Sequence, residues 1–337
     1  MPRPIGRRRP LPGSIDLRRV RTYPLRRRKS KVVATALGRV PRRGMTVRAF
    51  LTGLPDILAA RDLRAIAAAI VTRHRSGKTV VLGMGAHPIK VGLSPLIIDL
   101  MRRGIVNAVA MNGAAIIHDY ELAAQGATSE DVAATLADGE FGMAEETGSF
   151  LNRAITAGGA AGLGIAVGRA IRAARLPHTA LSILAAGVRH DVPVTVHVAI
   201  GTDIIHMHPS ADGAAIGAAS LRDFHRLAGI AQTLHGGVFI NLGSAVIIPE
   251  VFLKALNLAR NVGHRVAGLL TVDMDFVRHY RPQVNVVQRP TAPDGRGYQL
   301  TGHHEIMFPL LCAAVLEELG SRTTFGRRKA GGGRRKA

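Results

Sequence analysis

The chain alternates short apolar runs with longer segments in which apolar residues recur at helical spacing. Short runs at 79–82, 108–111, 194–198, 237–242 and 266–272 predict buried strands, because they lack the three- and four-residue spacing of a helix. Strands that alternate with helices are typical of a mostly parallel sheet covered on both faces. The pattern therefore predicts a three-layer α/β fold.

Helical spacing is clearest over residues 56–74, where six apolar side chains share one face. Further helices are predicted at 95–103, 149–175, 180–190, 221–233, 251–260 and 305–319. Glycine, asparagine, aspartate or histidine follows each strand. Since ligands of open α/β sheets bind beyond the carboxyl ends of the strands, we expect the functional site at that edge.

Composition favours a protein of a reducing compartment. Cys312 is the single cysteine among 337 residues, so no disulfide framework or thiolate cluster forms within one chain. No apolar stretch reaches the roughly 18–20 residues that span a bilayer, and no secretory signal follows the basic N-terminus. We expect a soluble cytoplasmic protein, with an organelle transit peptide as the alternative reading of the arginine-rich leader.

The net charge of +22 is concentrated at the two ends of the chain. Residues 1–48 hold 16 of the 45 lysines and arginines with one acid, and residues 320–337 hold seven with none. The remaining residues, 49–319, carry 22 bases and 22 acids. We therefore predict a disordered basic leader over 1–13, a single α/β domain over 14–319, and a disordered basic tail over 320–337. The tails should bind polyanions weakly and in a salt-dependent way.

A glycine-rich turn follows the first predicted strand of the sheet. Gly83 and Gly85, with His87 after them, match the dinucleotide-binding pattern only in part, because Pro88 stands where a third glycine is expected. Ser94 would cap the following helix, and Lys90 offers positive charge to a phosphate. Phosphate binding and an ordinary strand–helix turn both stay open as readings.

Three clusters of histidines and acids follow apolar runs. Their imidazoles and carboxylates are candidates for acid/base chemistry near neutral pH. The alternative is a zinc, iron or manganese site, although no cluster has the spacing of a helical metal motif. Taken singly, each histidine reads as a hydrogen-bonded loop residue. The candidate catalytic residues are His118, Asp119, Asp203, His206, His208, His303, His304 and Glu305.

Several motifs, in their order along the chain, resemble deoxyhypusine synthase and its bacterial homospermidine synthase relatives. The resemblance extends from about Ile15 to Leu319. It rests on the segments Gly83–Pro88, Val109–Asp119, Asp203–His208, Asn241–Val246 and Phe308–Leu311.

The resemblance implies a Rossmann-like domain that assembles as a homotetramer, with NAD and the active sites at subunit interfaces. Family members move hydride from spermidine to NAD and hold the resulting imine on a lysine. By position, the nicotinamide-binding segment of the family falls on Asn112, Gly113 and Ala114, and its acidic run falls on His118 and Asp119. Its triple glycine falls on residues 243–245. The full set of cofactor-binding candidates is Gly83, Gly85, His87, Lys90, Asn112, Gly113, Ala114, Gly243 and Ser244.

The chain departs from this family where the catalytic lysine should stand. Residues 281–290 contain neither tryptophan nor lysine, and the Arg289 guanidinium stays protonated and cannot act as the nucleophile. Of the remaining core lysines, only Lys90 lies in a predicted ligand loop.

We therefore predict a transferase of the deoxyhypusine synthase-like type that lacks the catalytic lysine. It would perform NAD-linked hydride or amine-group transfer on a small substrate, and an amine is one candidate substrate. A non-catalytic nucleotide-binding or scaffold protein and a His/carboxylate metalloenzyme are the alternatives. We also expect a homo-oligomer, in which the small residues of 154–168 let helices approach closely.

Overall fold

The computed structural model describes residues 13–320, which form a six-stranded sheet flanked by helices. All neighbouring strands are parallel, and their order is β3-β2-β1-β4-β5-β6. The strands are β1 Val80–Met84, β2 Ala108–Asn112, β3 Val194–His197, β4 Val238–Leu242, β5 Leu270–Asp275 and β6 Arg296–Thr301.

Thirteen helical segments are assigned within residues 13–320, besides short 3-10 turns and a π-helical turn at Gln283–Gln288. They are α1 Val47–Gly53, α2 Leu58–Arg75, α3 His87–Lys90, α4 Ser94–Arg102, α5 Gly113–Gln125, α6 Val132–Thr135, α7 Glu145–Gly158, α8 Leu163–Ala174, α9 Ile183–Arg189, α10 Gly213–Gln232, α11 Ile247–Asn261, α12 Tyr280–Pro282 and α13 His304–Leu319.

Two apolar clusters cover the two faces of the sheet. The larger one joins α2, α4, α5, α7, α8, α9 and α13 to one face, and the smaller one joins α10 and α11 to the other. Strands buried on both faces explain the nearly continuous apolar runs in the sequence. The predicted α/β class with a mostly parallel sheet is thus confirmed, and the fold is Rossmann-like.

All five predicted strands are present, although β5 starts later than expected. Several elements were not predicted, among them four short helices, the helix α5 and the strand β6. Residues 113–125 form α5, and the half-exposed strand β6 lacks a continuous apolar run.

The helix predicted over 149–175 is wrong in its continuity. It is broken between α7 and α8, where Gly162 takes a φ of +95°. A side chain there would overlap the Asp223 carboxylate. The small residues of this region pack within the chain, since Gly158 lies against Ala166 and Gly168 against the Leu184 carbonyl. They are therefore accounted for without a partner chain.

The described part of the chain ends short of both termini and begins with an exposed segment. Residues 1–12 and 321–337 lie outside the described residues, and so do the disordered leader and tail predicted there, apart from Gly13 and Gly320. Residues 13–46 are exposed almost throughout. In the described part of the chain, no helix has the length and apolar content needed to cross a membrane.

Candidate functional site

The strand order creates a switch point between β1 and β4, from which the sheet grows in opposite directions. In such sheets, ligands bind at the carboxyl edge beside the switch point. Here the loops after β1 and β4 touch, and Gly85 N donates to the Leu242 carbonyl at 3.1 Å. A side chain on Gly85 would overlap the Gly243 carbonyl, so glycine is needed for the two loops to meet.

Gly83 has a packing role inside β1. A Cβ there would lie 2.6 Å from Ile248 and 2.7 Å from the Phe239 ring, which fill the space beside the strand. Packing alone therefore accounts for both glycines of the partial motif. The prediction that Ser94 caps the next helix is wrong, because Ser94 is the first residue of α4 and its buried hydroxyl has no hydrogen-bond partner. The helix that follows the turn is instead the short α3.

His304 lies at the carboxyl ends of β4 and β5 and is 1% exposed. Its Nε2 lies 3.2 Å from the Met274 carbonyl, which can only accept, so Nε2 carries the proton. The Asp275 carboxylate is 3.6 Å from the same nitrogen. Nδ1 is consequently a lone-pair acceptor, and it has no hydrogen-bond partner. Burial lowers the pKa of His304, which keeps the ring neutral.

Aromatic rings and a glycine surround the His304 imidazole. The His87 ring lies 5.2 Å away and the Phe276 ring 5.6 Å away, between ring centres. Gly243, with a φ of +66°, lies against the ring where a side chain would collide with it. The site therefore joins the loops after β1, β4, β5 and β6.

The neighbouring candidates at this end of the sheet have different environments. His303 and Glu305 are exposed, with 3.8 Å between Nδ1 and Oε1. Ser244 is buried, and its hydroxyl accepts a hydrogen bond from Ile248 N at 3.2 Å, so it supports the start of α11.

Asp203 and His206 form a second buried pair, in the loop after β3. The His206 Nδ1 accepts from Gly201 N at 3.1 Å and from Asp203 N at 3.3 Å, so the proton is on Nε2. That Nε2 and the Asp203 Oδ2 are 4.0 Å apart, and neither has a hydrogen-bond partner. Burial raises the pKa of Asp203 to about 6 and lowers that of His206.

The first turn of α5 lies directly against this pair. Asn112 caps the helix by accepting from Ala115 N at 3.2 Å, and the partly buried Ala114 lies in the first turn. A Cβ on Gly113 would overlap the Asp203 Oδ2. Glycine at this position is what lets the carboxylate approach the helix.

Asp119 is placed differently from the expected active-site acid. It is fully buried in α5 and accepts from the Ser182 hydroxyl at 2.5 Å, from Ile183 N at 2.6 Å and from Leu184 N at 3.3 Å. These donors begin α9, so Asp119 joins two helices and has a structural role. Its burial raises the pKa to about 6.

His118 and His208 are also held by other side chains. The His118 Nδ1 lies 2.7 Å from the Thr128 hydroxyl, and burial, with the exposed Lys90 nearby, lowers its pKa to about 4. The His208 ring lies between Ser210 at 2.7 Å and Glu145 at 3.1 Å, and so fixes the loop after β3 to α7.

The three His/acid clusters do not meet in one centre. Among residues 13–320, no group of three or more histidines, cysteines or acids is arranged to hold a metal ion. The structure thus gives no support to the metalloenzyme alternative. The structure instead brings together two separate pairs: Asp203 with His206 in the loop after β3, and His304 with His87 where the loops after β1, β4, β5 and β6 meet.

The region that departs from the resembled family lies beside β5, β6 and the first turn of α11. Arg289 follows the π-helical turn and precedes β6, and its guanidinium donates to Asn285 Oδ1 at 2.9 Å. Asn285 in turn donates to Glu250 at 2.9 Å. Arg289 therefore has a structural position that agrees with its exclusion as a nucleophile.

Sequence reasoning missed a buried polar row across the second half of the sheet. Asn241 in β4 donates to Asp273 in β5 at 2.8 Å, and Gln299 in β6 stands in register beside Asp273. Burial raises the pKa of Asp273 to about 6. The signal in β4 and β5 was a polar residue inside an apolar run, and β6 has no such run. The residue His197 in β3, which burial gives a pKa of about 3, was missed for the same reason.

The fold and the site define an α/β protein of Rossmann-like topology with polar groups at the switch-point edge. No family model matches the sequence, and no curated protein matches it. Three solved structures align with most of this chain. A conserved protein from Methanococcus maripaludis S2 assigned to LOR/SDH aligns with TM-score 0.51 and 13% identity, over 86% of this chain and 75% of its own.

The second structure is the ternary complex of AgrE with ornithine and NAD+, at TM-score 0.50 and 13% identity over 77% of this chain. The chain spans about a third of AgrE, 34% of its length. The third is a protein from Entamoeba histolytica assigned as a deoxyhypusine synthase, at TM-score 0.49 and 10% identity, over 83% of this chain and 96% of its own. At these identities the first two likenesses show the fold alone, and the family stays a resemblance.

Proposed function

We propose that this protein binds NAD at the switch-point edge and transfers hydride between NAD and a small substrate that carries an amino group. The supporting observation is that two buried groups, on the two sides of β1, each have an acceptor atom without a hydrogen-bond partner. The Asp203 Oδ2 is a free acceptor of negative character, and the His304 Nδ1 is a free lone pair. Such atoms are costly to bury unpaired, so they are expected where a ligand completes them.

The residues at this edge fit a dinucleotide. The first turn of α13 has no side-chain cap, so the N–H groups of His304 and Glu305 are available to phosphate oxygens, whereas Ile306 N donates to the His303 carbonyl. Lys90 supplies positive charge after β1. When bound, NAD accepts the hydride; the solved AgrE complex with ornithine and NAD+ supports pairing this cofactor with an amine on a related fold.

The side chains divide the work at the substrate. The Asp203 carboxylate would hold the substrate ammonium group, and the His206 Nε2–H, 4.0 Å away, stabilises its negative charge. The same carboxylate, whose pKa burial raises to about 6, would take the proton that the amine releases when its carbon loses hydride. At the other end of this edge, the free Nδ1 of the neutral His304 would accept a hydrogen bond from the dinucleotide, and Asp275 beside the proton-bearing Nε2 supports that tautomer.

Native mass spectrometry of the purified protein, followed by titration with NADH and turnover with a panel of amino acids and diamines, tests this function. We expect bound or titratable NAD(H), with loss of turnover in Asp203→Asn and in His304→Gln. Only His304→Gln should also weaken NADH binding. The matched control is His264→Gln, an exposed histidine after α11, which should leave both measurements unchanged.

The outcomes distinguish the alternatives. Nucleotide binding without turnover on any amine would favour the non-catalytic nucleotide-binding protein. A protein that binds no dinucleotide would contradict the proposal. The single cysteine, Cys312, is buried and free, which supports our placing this activity in the cytoplasm.

A further inference from the structure

Two surface regions of the described chain carry opposite charge. We call residues 13–46 the basic arm and residues 126–146 the acidic segment. The basic arm contains eleven lysines and arginines and one acid, whereas the acidic segment contains six acids and no lysine, arginine or histidine. Both regions are largely exposed.

The basic arm also exposes a series of apolar side chains. Leu17 is 78% exposed, Tyr23 is 60% exposed and Leu25 is 72% exposed. It is attached only near its end, where Arg39 N donates to the Gly53 carbonyl and Asp56 N to the Ala36 carbonyl. A solvated tail needs no such series of apolar residues, so their exposure indicates a surface that another molecule covers.

The acidic segment connects α5 to α7 and offers the complementary surface. It exposes three apolar side chains among its acids: Val132 at 41%, Leu136 at 61% and Met143 at 47%. Residues from both ends of the segment line one cleft of about 510 Å³, whose acidic side chains are Glu121, Glu130 and Glu146. The charge of the acidic segment is therefore opposite to that of the basic arm, and both regions expose apolar side chains that can pack together.

We propose that the basic arm of one chain docks on the acidic segment of a second copy of the same chain. Within residues 13–320, no ion pair joins the two regions of one chain. The arm ends beside α1 and α2, and the acidic segment lies between α5 and α7. A polyanion would neutralise the arginines but leave the apolar side chains of the arm exposed, so a partner with both acids and apolar residues fits better.

Charge reversal in the full-length chain tests this docking. Variant A changes Arg19, Arg21 and Arg27 to Glu, and variant B changes Asp138, Glu140 and Glu146 to Lys. All six residues are exposed, and no side-chain hydrogen bond or ion pair involves any of them. The matched control for variant A changes Arg169, Arg172 and Arg189 to Glu, three exposed arginines outside the arm.

Light scattering and sedimentation over a concentration series measure association, and circular dichroism checks folding. We expect the intact protein to self-associate and each of variants A and B to associate about tenfold more weakly. The control variant should associate as the intact protein does. A mixture of variants A and B should regain association, because the unchanged arm of variant B can dock on the unchanged acidic segment of variant A.

Four results would overturn the proposal. The first is an intact protein that stays monomeric at all micromolar concentrations, and the second is unchanged association in variant B. The third is failure of the mixture to regain association. The fourth is a compaction that is independent of concentration, which would place the arm on its own chain.

Changing Leu17 and Leu25 to Ser provides a second route, since it removes apolar contact without altering charge. Association that persists in this variant would also contradict the inference. Loss of heparin binding in variant A, with association intact, would identify the arm as a polyanion-binding segment instead.

Discussion

The surroundings of Asp119 and Asp203 differ in one respect that decides their roles. Both carboxylates are buried beside the start of a helix, and burial raises the pKa of each to about 6. Three donors from Ser182 and the first turn of α9 satisfy Asp119. Asp203 instead leaves Oδ2 without a partner, next to the unpaired Nε2 of His206.

This difference separates a structural acid from a candidate functional one. A buried carboxylate with all its donors in place contributes to stability, and removing it leaves those donors unpaired. A buried carboxylate with an open oxygen costs stability, which is tolerated where a ligand uses it. Perturbed pKa values alone do not distinguish the two, since both are raised to the same value.

The largest effect expected is that of Asp119→Ala. Loss of the carboxylate would leave the three donors at the start of α9 without acceptors, and we expect the free energy of unfolding to fall by about 4 kcal/mol. Urea unfolding measures this change. Asp119→Asn keeps one acceptor oxygen and should cost less. If Asp119→Ala unfolded at the same urea concentration as the intact chain, Asp119 would have no structural role.

Asp203→Asn should act in the opposite direction and depend on pH. Because the folded pKa is raised from 3.8 to about 6, ionisation of Asp203 opposes folding, and this cost is absent below about pH 4 and complete above about pH 6. The variant should therefore match the intact chain in acid and be more stable by up to about 3 kcal/mol at neutral pH. Urea midpoints across that range give the comparison. A difference that does not change with pH would show that Asp203 is not desolvated.

The smallest of these effects is that of Gly113→Ala. The added methyl group would displace the Asp203 carboxylate, so we expect a loss of about 2 kcal/mol in the free energy of unfolding. The matched control is Gly217→Ala in α10, where nothing lies within 4 Å of the new methyl group and up to about 1 kcal/mol is gained. Adding Asp203→Ala to Gly113→Ala should restore most of the loss. Failure of this pair to couple would mean that the two residues do not touch.

The sequence was sufficient for the sheet and most of its helices, because strands buried on both faces leave uninterrupted apolar runs. It failed at α5, where residues 113–117 are small and apolar like the strand before them and helical spacing is hard to recognise. It also missed β6, since an edge strand with Arg296 and Thr301 exposed has no continuous run.

For the site, residue type indicated which strand ends hold candidate residues but not what each residue does. His206 and His304 were selected for being histidines near strand ends, and the structure places both beside a carboxylate with one free ring nitrogen. His208 and Asp119 had the same local pattern but are satisfied by residues distant in sequence, Glu145 and Ser182. Only the tertiary fold reveals such partners, so no local spacing could have distinguished these residues.

The bond between Asn241 and Asp273 also bears on how the strands find their alignment during folding. Strands such as β4 and β5, apolar on both faces, can slide past one another with little change in the apolar surface they bury. A shift of one residue would move the Asn241 amide to the opposite face from the Asp273 carboxylate and leave both in the core without partners. Misaligned pairings are thereby penalised, and one polar bond in the sheet selects the native register of its second half.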